Sequence, residues 1–323
     1  MPYVAPIPIR GDTIAAKLET TYGTDIVPAV ATDAVRIAKR GWNSIQPDFA
    51  FPNLREDAAN NSFIPIQAAG ARGQKARLAL EWELKGLGAT YTTALFSDGQ
   101  PLFAACGWVP VFSANTWTLT PVLPSASRPS ASIYVWTGGK QYKMTGCRGN
   151  FEATIRAGQI AKVAFNLEGL LPVIETDVAV PAATYTAAIP PAAVSQACTI
   201  GGATWSPDYD EIIIRSNNSV GWLNSGNAAD GLQSFDYGLS MPEIVVAARS
   251  VATATYSPMA DQQAGTARAF TCTTGSVQYN RAIFSDTGIW IPAQGILEAQ
   301  GPQGGFTGWR ITYRCLAPQL LFN

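Results

Sequence analysis

The chain has 323 residues, enough for one large or two ordinary domains, and only 14% of them are charged against 47% hydrophobic. Basic and acidic residues nearly cancel, 22 against 23, which excludes an overall field that would draw the chain to nucleic acid or to an anionic membrane. Histidine is absent, removing the commonest general base and metal ligand together with every Ser-His or Cys-His nucleophile.

In chain order, the opening MPYVAPIPIRGD carries prolines where a signal peptide has its apolar run, and no stretch approaches 18 uncharged apolar residues. The sequence therefore reads as cytoplasmic when made and not membrane-inserted. Residues 34–38 predict a strand. Residues 41–75 follow, with Trp42, Phe49, Phe51, Leu54 and Phe63 among several prolines, too irregular for strands and too aromatic for a plain linker. Residues 77–85 alternate Leu78, Leu80, Trp82 and Leu84 with Arg77, Glu81, Glu83 and Lys85, the pattern of a strand with one buried face. A helix is predicted over 91–106, its start delayed by Gly99 and Pro101. Strands fit 117–120, 132–137 and 141–145, the last two joined at Gly138-Gly139, and period 2 returns on both sides of a hairpin at Ala157-Gly158-Gln159.

Residues 172–191 turn to Ala, Pro, Thr and Val, with few groups able to anchor a core, and mark a boundary. Beyond it strands are predicted at 211–215, 243–249, 267–273, 289–291 and 309–315. Their order parallels the first half, so the reading is a duplicated, mainly β chain: a first module over 1–175, an Ala/Pro/Thr-rich linker over 176–192 and a second module over 193–323. Cys106, Cys147, Cys198, Cys272 and Cys315 lack close pairs along the chain and read as reduced, buried small hydrophobes, with no metal or cofactor implied. Residues 208–211 read as a polar turn and 301–305 as a hairpin tip.

Three blocks carry a resemblance: Lys17-Leu18-Glu19-x-x-Tyr22-Gly23-Thr24-Asp25 with Pro28 after it, LFAACG over 102–107, and YKMTGCRGNFEATIRAGQIAKVAFNLEG over 142–169. In this combination and spacing the chain resembles the tail tube proteins of long-tailed bacteriophages, in particular those built from two tube-like modules. The resemblance implies β-sandwich or barrel modules with a short flanking helix, and a structural subunit without catalytic activity. One sheet would join its neighbours' sheets into a barrel through which DNA passes on ejection.

It further implies self-assembly into a trimeric ring with pseudo-sixfold symmetry, a hexamer being the alternative. The rings would stack in the virion tail and meet tape measure, tail terminator and tail-tip proteins, with DNA touched only transiently. On this reading Trp42, Phe49, Phe51, Leu54 and Phe63 are candidates for contacts between subunits or rings, because aromatic side chains supply large contact area. Glu81, Glu83 and Glu168 are candidates for facing the lumen, where carboxylates would repel phosphates. Neighbouring Arg77, Lys85 and Lys162 weaken that expectation. The competing class is a carbohydrate-binding or adhesin-like β-sandwich, which shares Trp- and Gly-rich strands.

Overall fold

The computed structural model describes residues 12–50, 72–93, 96–122, 128–194, 197–202, 205–228, 231–300 and 307–323. Among these, strands dominate. In the first half they are β1 (Thr13–Leu18), β2 (Ile37–Ala50), β3 (Arg72–Glu83), β4 (Trp108–Ser113), β5 (Thr116–Pro121), β6 (Ala131–Thr137), β7 (Lys140–Arg156) and β8 (Lys162–Asp177). In the second half they are β9 (Cys198–Ile200), β10 (Tyr209–Arg215), β11 (Asn218–Asn224), β12 (Leu232–Ser240), β13 (Glu243–Arg249), β14 (Arg268–Thr274), β15 (Ala282–Trp290), β16 (Ile296–Gln300), β17 (Thr307–Cys315) and β18 (Pro318–Phe322). Two short helices, α1 (Gln100–Ala105) and α2 (Pro258–Ala264), interrupt them.

All strands but β11 and β12 belong to one curled sheet, whose main run is β2-β3-β8-β7-β10-β13-β17, with β16 beside β17. The curling comes from strands that serve two layers. β7 pairs with β6 through residues 140–147 and with β10 through 152–156, passing from one layer to the other. β15 does the same, pairing with β18 through 282–286 and reaching β17 at Ile289 and Trp290, while β14 pairs with it from Ala282 to Ile289. β16 then continues alongside β17. Each half thus has the same spatial order: β2-β3-β8-β7 in one and β10-β13-β17-β15 in the other, the last two strands of the chain order exchanged in both.

The predicted alternation holds over residues 77–84 but not at Lys85, expected on the wet face: it lies beyond β3, is buried and pairs with Asp98 at 3.6 Å. Leu78, Leu80, Trp82, Phe151, Ala153, Ile155, Val163, Phe165 and Leu167 are all buried, as are Ile212, Ile214, Ile244, Val246 and Ile311 in the second half. They form one continuous core, not two. Its centre is Phe103 of α1, edge-on to Trp82 (5.9 Å), Phe151 (5.0 Å) and Phe165 (5.1 Å), and 6.3 Å from Phe322 of the other half. Burying a side chain of this size contributes about 3 kcal/mol.

Three expectations are corrected. The helix over 91–106 shortens to six residues, because Gly99 caps it and Pro101 sits in its first turn; residues 91–93 and 96–99 before it are not helical. The stretch 41–75 is strand at both ends, in β2 and β3, which pair across a register shift between Arg40 and Ile45. Residues 208–211 lead into β10 and are no free turn. The predicted tip at 301–305 lies outside the described residues.

Residues 178–191 contain no strand or helix, yet they are tacked down. Val178 and Val180 pack on Ala15, Tyr134 and Trp136, Thr13 Oγ1 donates to the Pro181 carbonyl at 3.3 Å, and Asn280 Nδ2 donates to that of Ile189 at 2.8 Å. The turn at Gly138-Gly139 has both residues at positive φ, +57° and +77°, as a tight hairpin between twisted strands requires.

Candidate assembly and channel-facing surface

The motif residues of the first half act as fasteners. The Glu19 carboxylate accepts four hydrogen bonds: from Gly23 N at 2.8 Å, Ser130 Oγ at 2.6 Å, Ser132 Oγ at 2.8 Å and Gly146 N at 2.7 Å. It ties the chain after β1 to β6 and β7. Asp25 accepts from the Tyr134 hydroxyl. Tyr22 lies over Gly146, where a Cβ would meet its ring at 2.8 Å, and its hydroxyl accepts from Phe235 N in β12 at 2.7 Å. Burial, partly offset by that bond and by Arg148, raises its pKa.

Arg148 is the hub between the halves. Its guanidinium lies 4.5 Å from the centre of the Tyr22 ring and 5.6 Å from that of Tyr237. It donates to the carbonyls of Pro129, Phe235 and Arg128 and pairs with Asp236 at 3.1 Å. A buried guanidinium is tolerable only when its donors are met this fully. The stretch Thr145-Gly146-Cys147-Arg148-Gly149 of β7 has a local reason too: a Cβ at Gly149 would stand 2.0 Å from the Asn166 carbonyl oxygen of β8. The hairpin β11–β12 is thereby held against the first half. Trp222 of β11 donates to Glu168 at 2.8 Å, and Asn218 Nδ2 reaches the carbonyls of Cys106 and Gly149.

The face of the main run turned away from the core is a lattice of charges. One row crosses six strands with side chains directly opposite: Glu81, Ala164, Glu152, Arg215, Glu243 and Arg314. Ion pairs join Arg215 to Glu152 at 2.7 Å and Arg314 to Glu243 at 3.0 Å. Arg156 pairs with Glu211 at 2.7 Å, Arg310 with Glu211 at 3.5 Å, Arg77 with Glu168 at 2.7 Å and Lys162 with Glu81 at 3.6 Å. In all of these but the Arg215 pair the base is the more exposed partner, as with Arg156 at 58% over Glu211 at 16%. Carboxylates lie low and cations ride above them.

The sequence-predicted lumen residues therefore share one face. Glu81 and Glu168 are paired with bases, Glu168 also under the Trp222 indole, and Glu83 faces Lys162 in register. Of the predicted contact residues, Trp42 and Phe49 lie on β2, while Phe51, Leu54 and Phe63 lie outside the described residues. Sequence reasoning did not single out Tyr22 or Arg148 as a joint, since their contacts span 213 and 87 residues along the chain.

Among the described residues, the main run ends in two strands with one strand partner each, β2 beside β3 and β16 beside β17. Three further edges of the large sheet are blunted. β1 is covered by bonds from Ala16 N to the Asp33 carbonyl and from Val35 N to the Ile14 carbonyl, β9 by the Ile200–Trp205 bridge, and β4 carries Pro110 at its middle.

Two comparisons bear on this surface. A family model described as phage tail tube protein matches residues 11–306. No curated protein matches the chain.

Proposed function

The chain belongs to the phage tail tube protein family and is a structural protein of the virion tail; from that premise we propose that copies join edge to edge, β2 of one beside β16 of the next, and close a ring around a DNA channel. The observation that carries this reading is the pair of edges, unpaired among the described residues, at opposite ends of one continuous run of eight strands. A long open edge invites another strand, and closure removes it. Pro47 limits the usable part of β2 to the stretch before it.

Strand spacing favours a trimer over the other ring sizes. Three chains give 24 strands, which at roughly 4.8 Å spacing and roughly 40° tilt make a barrel about 50 Å across between backbones. Two chains give 16 strands, the size of a porin. Six chains double the width of three. A trimer leaves room for a duplex with side chains on both walls, and the matching strand order of the two halves makes it pseudo-sixfold. The seam between β7 and β10 is then an intramolecular copy of the junction between subunits.

The charged face lines the channel on this reading. Its carboxylates are paired, so the wall is nearly neutral at a distance and offers phosphates neither capture nor strong repulsion. Rings stack into the tube, assembled in the host cytoplasm with tape measure, terminator and tip proteins as further partners.

The test is to place proline at Leu297 or Glu298, adjacent positions in β16 of which one directs its N–H outward. One variant should stay folded by circular dichroism yet form no tubes in negative-stain micrographs. Tubes from both variants would overturn the junction.

A further inference from the structure

Cys198 of β9 and Cys272 of β14 lie directly opposite each other, although 74 positions separate them in the chain. Hydrogen bonds from Thr273 N to the Ala197 carbonyl (2.9 Å) and from Gly201 N to the Ala269 carbonyl (2.7 Å) fix the phase of this ladder. They put the cysteines at a non-hydrogen-bonded position. There facing Cα atoms are about 4.5 Å apart and side chains approach most closely, within the range of about 4.4–6.8 Å that a disulfide takes. All five cysteines are free and, Cys315 apart, buried, as the sequence reads; their spacing along the chain gave no sign that this pair meets in register. Cys106, Cys147 and Cys315 face no other cysteine in the strand register.

We propose that Cys198 and Cys272 are a latent cross-strand disulfide, formed when the protein passes from a reducing to an oxidising medium. With peroxide as oxidant, one thiol attacks the O–O bond, giving a sulfenic acid and releasing water. The second thiol displaces the sulfenic oxygen as a second water, forming the S–S bond. Two S–H bonds and one O–O bond are broken, and the two electrons end on oxygen. The thiols share a hydrogen bond, which together with burial raises the Cys198 pKa far above its ordinary value, so reaction waits on opening of the three-residue strand β9. The bond encloses β10 to β13 and α2, the segment that carries the seam with β7.

The clasp belongs to the single chain, so its test is independent of ring assembly. Purified protein is treated with dilute hydrogen peroxide, unfolded, alkylated and mapped by mass spectrometry. The expected product links the peptides of Cys198 and Cys272, with the other three cysteines alkylated, at a rate independent of protein concentration. Its unfolding temperature should rise by roughly 5–10 °C and return with dithiothreitol, while Cys198→Ala should show neither change. Five alkylated thiols, or links between chains only, would overturn the proposal.

Discussion

Arg215 of β10 and Glu152 of β7 stand directly opposite each other, their charged groups 2.7 Å apart, at the seam where the sheets of the two halves become one. Both are about two-fifths exposed, so solvent screens the pair and its worth lies in register more than in energy. Glu152→Arg should cost about 0.5–1 kcal/mol by setting two cations face to face. The exchange Glu152→Arg with Arg215→Glu should restore most of it, read as a coupling energy from denaturant unfolding. No coupling would mean the seam is held by its backbone alone.

Arg148 should matter far more. Arg148→Met leaves the carbonyls of Pro129, Phe235 and Arg128 without their donor and Asp236 with Arg128 alone, a loss of about 3 kcal/mol. Limited proteolysis should then cut within β11–β12. Arg148→Lys should rescue little, because an ammonium cannot reach all these acceptors or stack between two rings. Full stability of the lysine variant would contradict the joint described above.

On the charged face, Glu168 and Glu83 should separate. Glu168→Gln weakens the bonds from Arg77 and Trp222 and should cost about 1 kcal/mol in thermal or chemical unfolding. Glu83→Gln should stay within about 0.5 kcal/mol. Equal effects would mean that Glu168 is as loosely held as a surface carboxylate.

Asp286 links stability to acid in an unusual direction. Burial raises its carboxyl above the ordinary value, against the pull of N–H donors at Gly288 and Ala317. The folded chain therefore holds the proton more tightly than the unfolded one. This group's contribution to stability falls as pH rises from about 3.9 through the raised value, and it is recovered on acidification. Asp286→Asn, a mimic of the protonated acid, should gain on wild type as pH rises from 3.5 to 7. A constant difference in unfolding temperature over that range would refute it.

Much of this fold was legible because its strands are half-wet. Leu78, Leu80 and Trp82 alternate with charges that the structure sets on the opposite face, and the β7–β8 hairpin turns at Gly158, φ +75°, as predicted. What stayed hidden has no local signature. β9 is three residues long, β18 reads as a bare apolar tail until it pairs with β5, and α2 is marked mainly by its Ser257 cap and a left-handed Gly265. The sequence named Arg77 and Lys162 as bases close to the carboxylates, but which carboxylate each one meets, Arg77 with Glu168 and Lys162 with Glu81, depends on the register of β3 with β8. The Cys198–Cys272 contact depends likewise on register alone.

Ring closure through β2 and β16 is tested most directly by cryo-electron microscopy of tubes assembled from the purified chain. The predicted map has three chains per ring, pseudo-sixfold symmetry, β2 of each chain beside β16 of its neighbour, and the charged face turned to the lumen. Six chains per ring, or a wall in which β2 and β16 both remain unpaired, would contradict it.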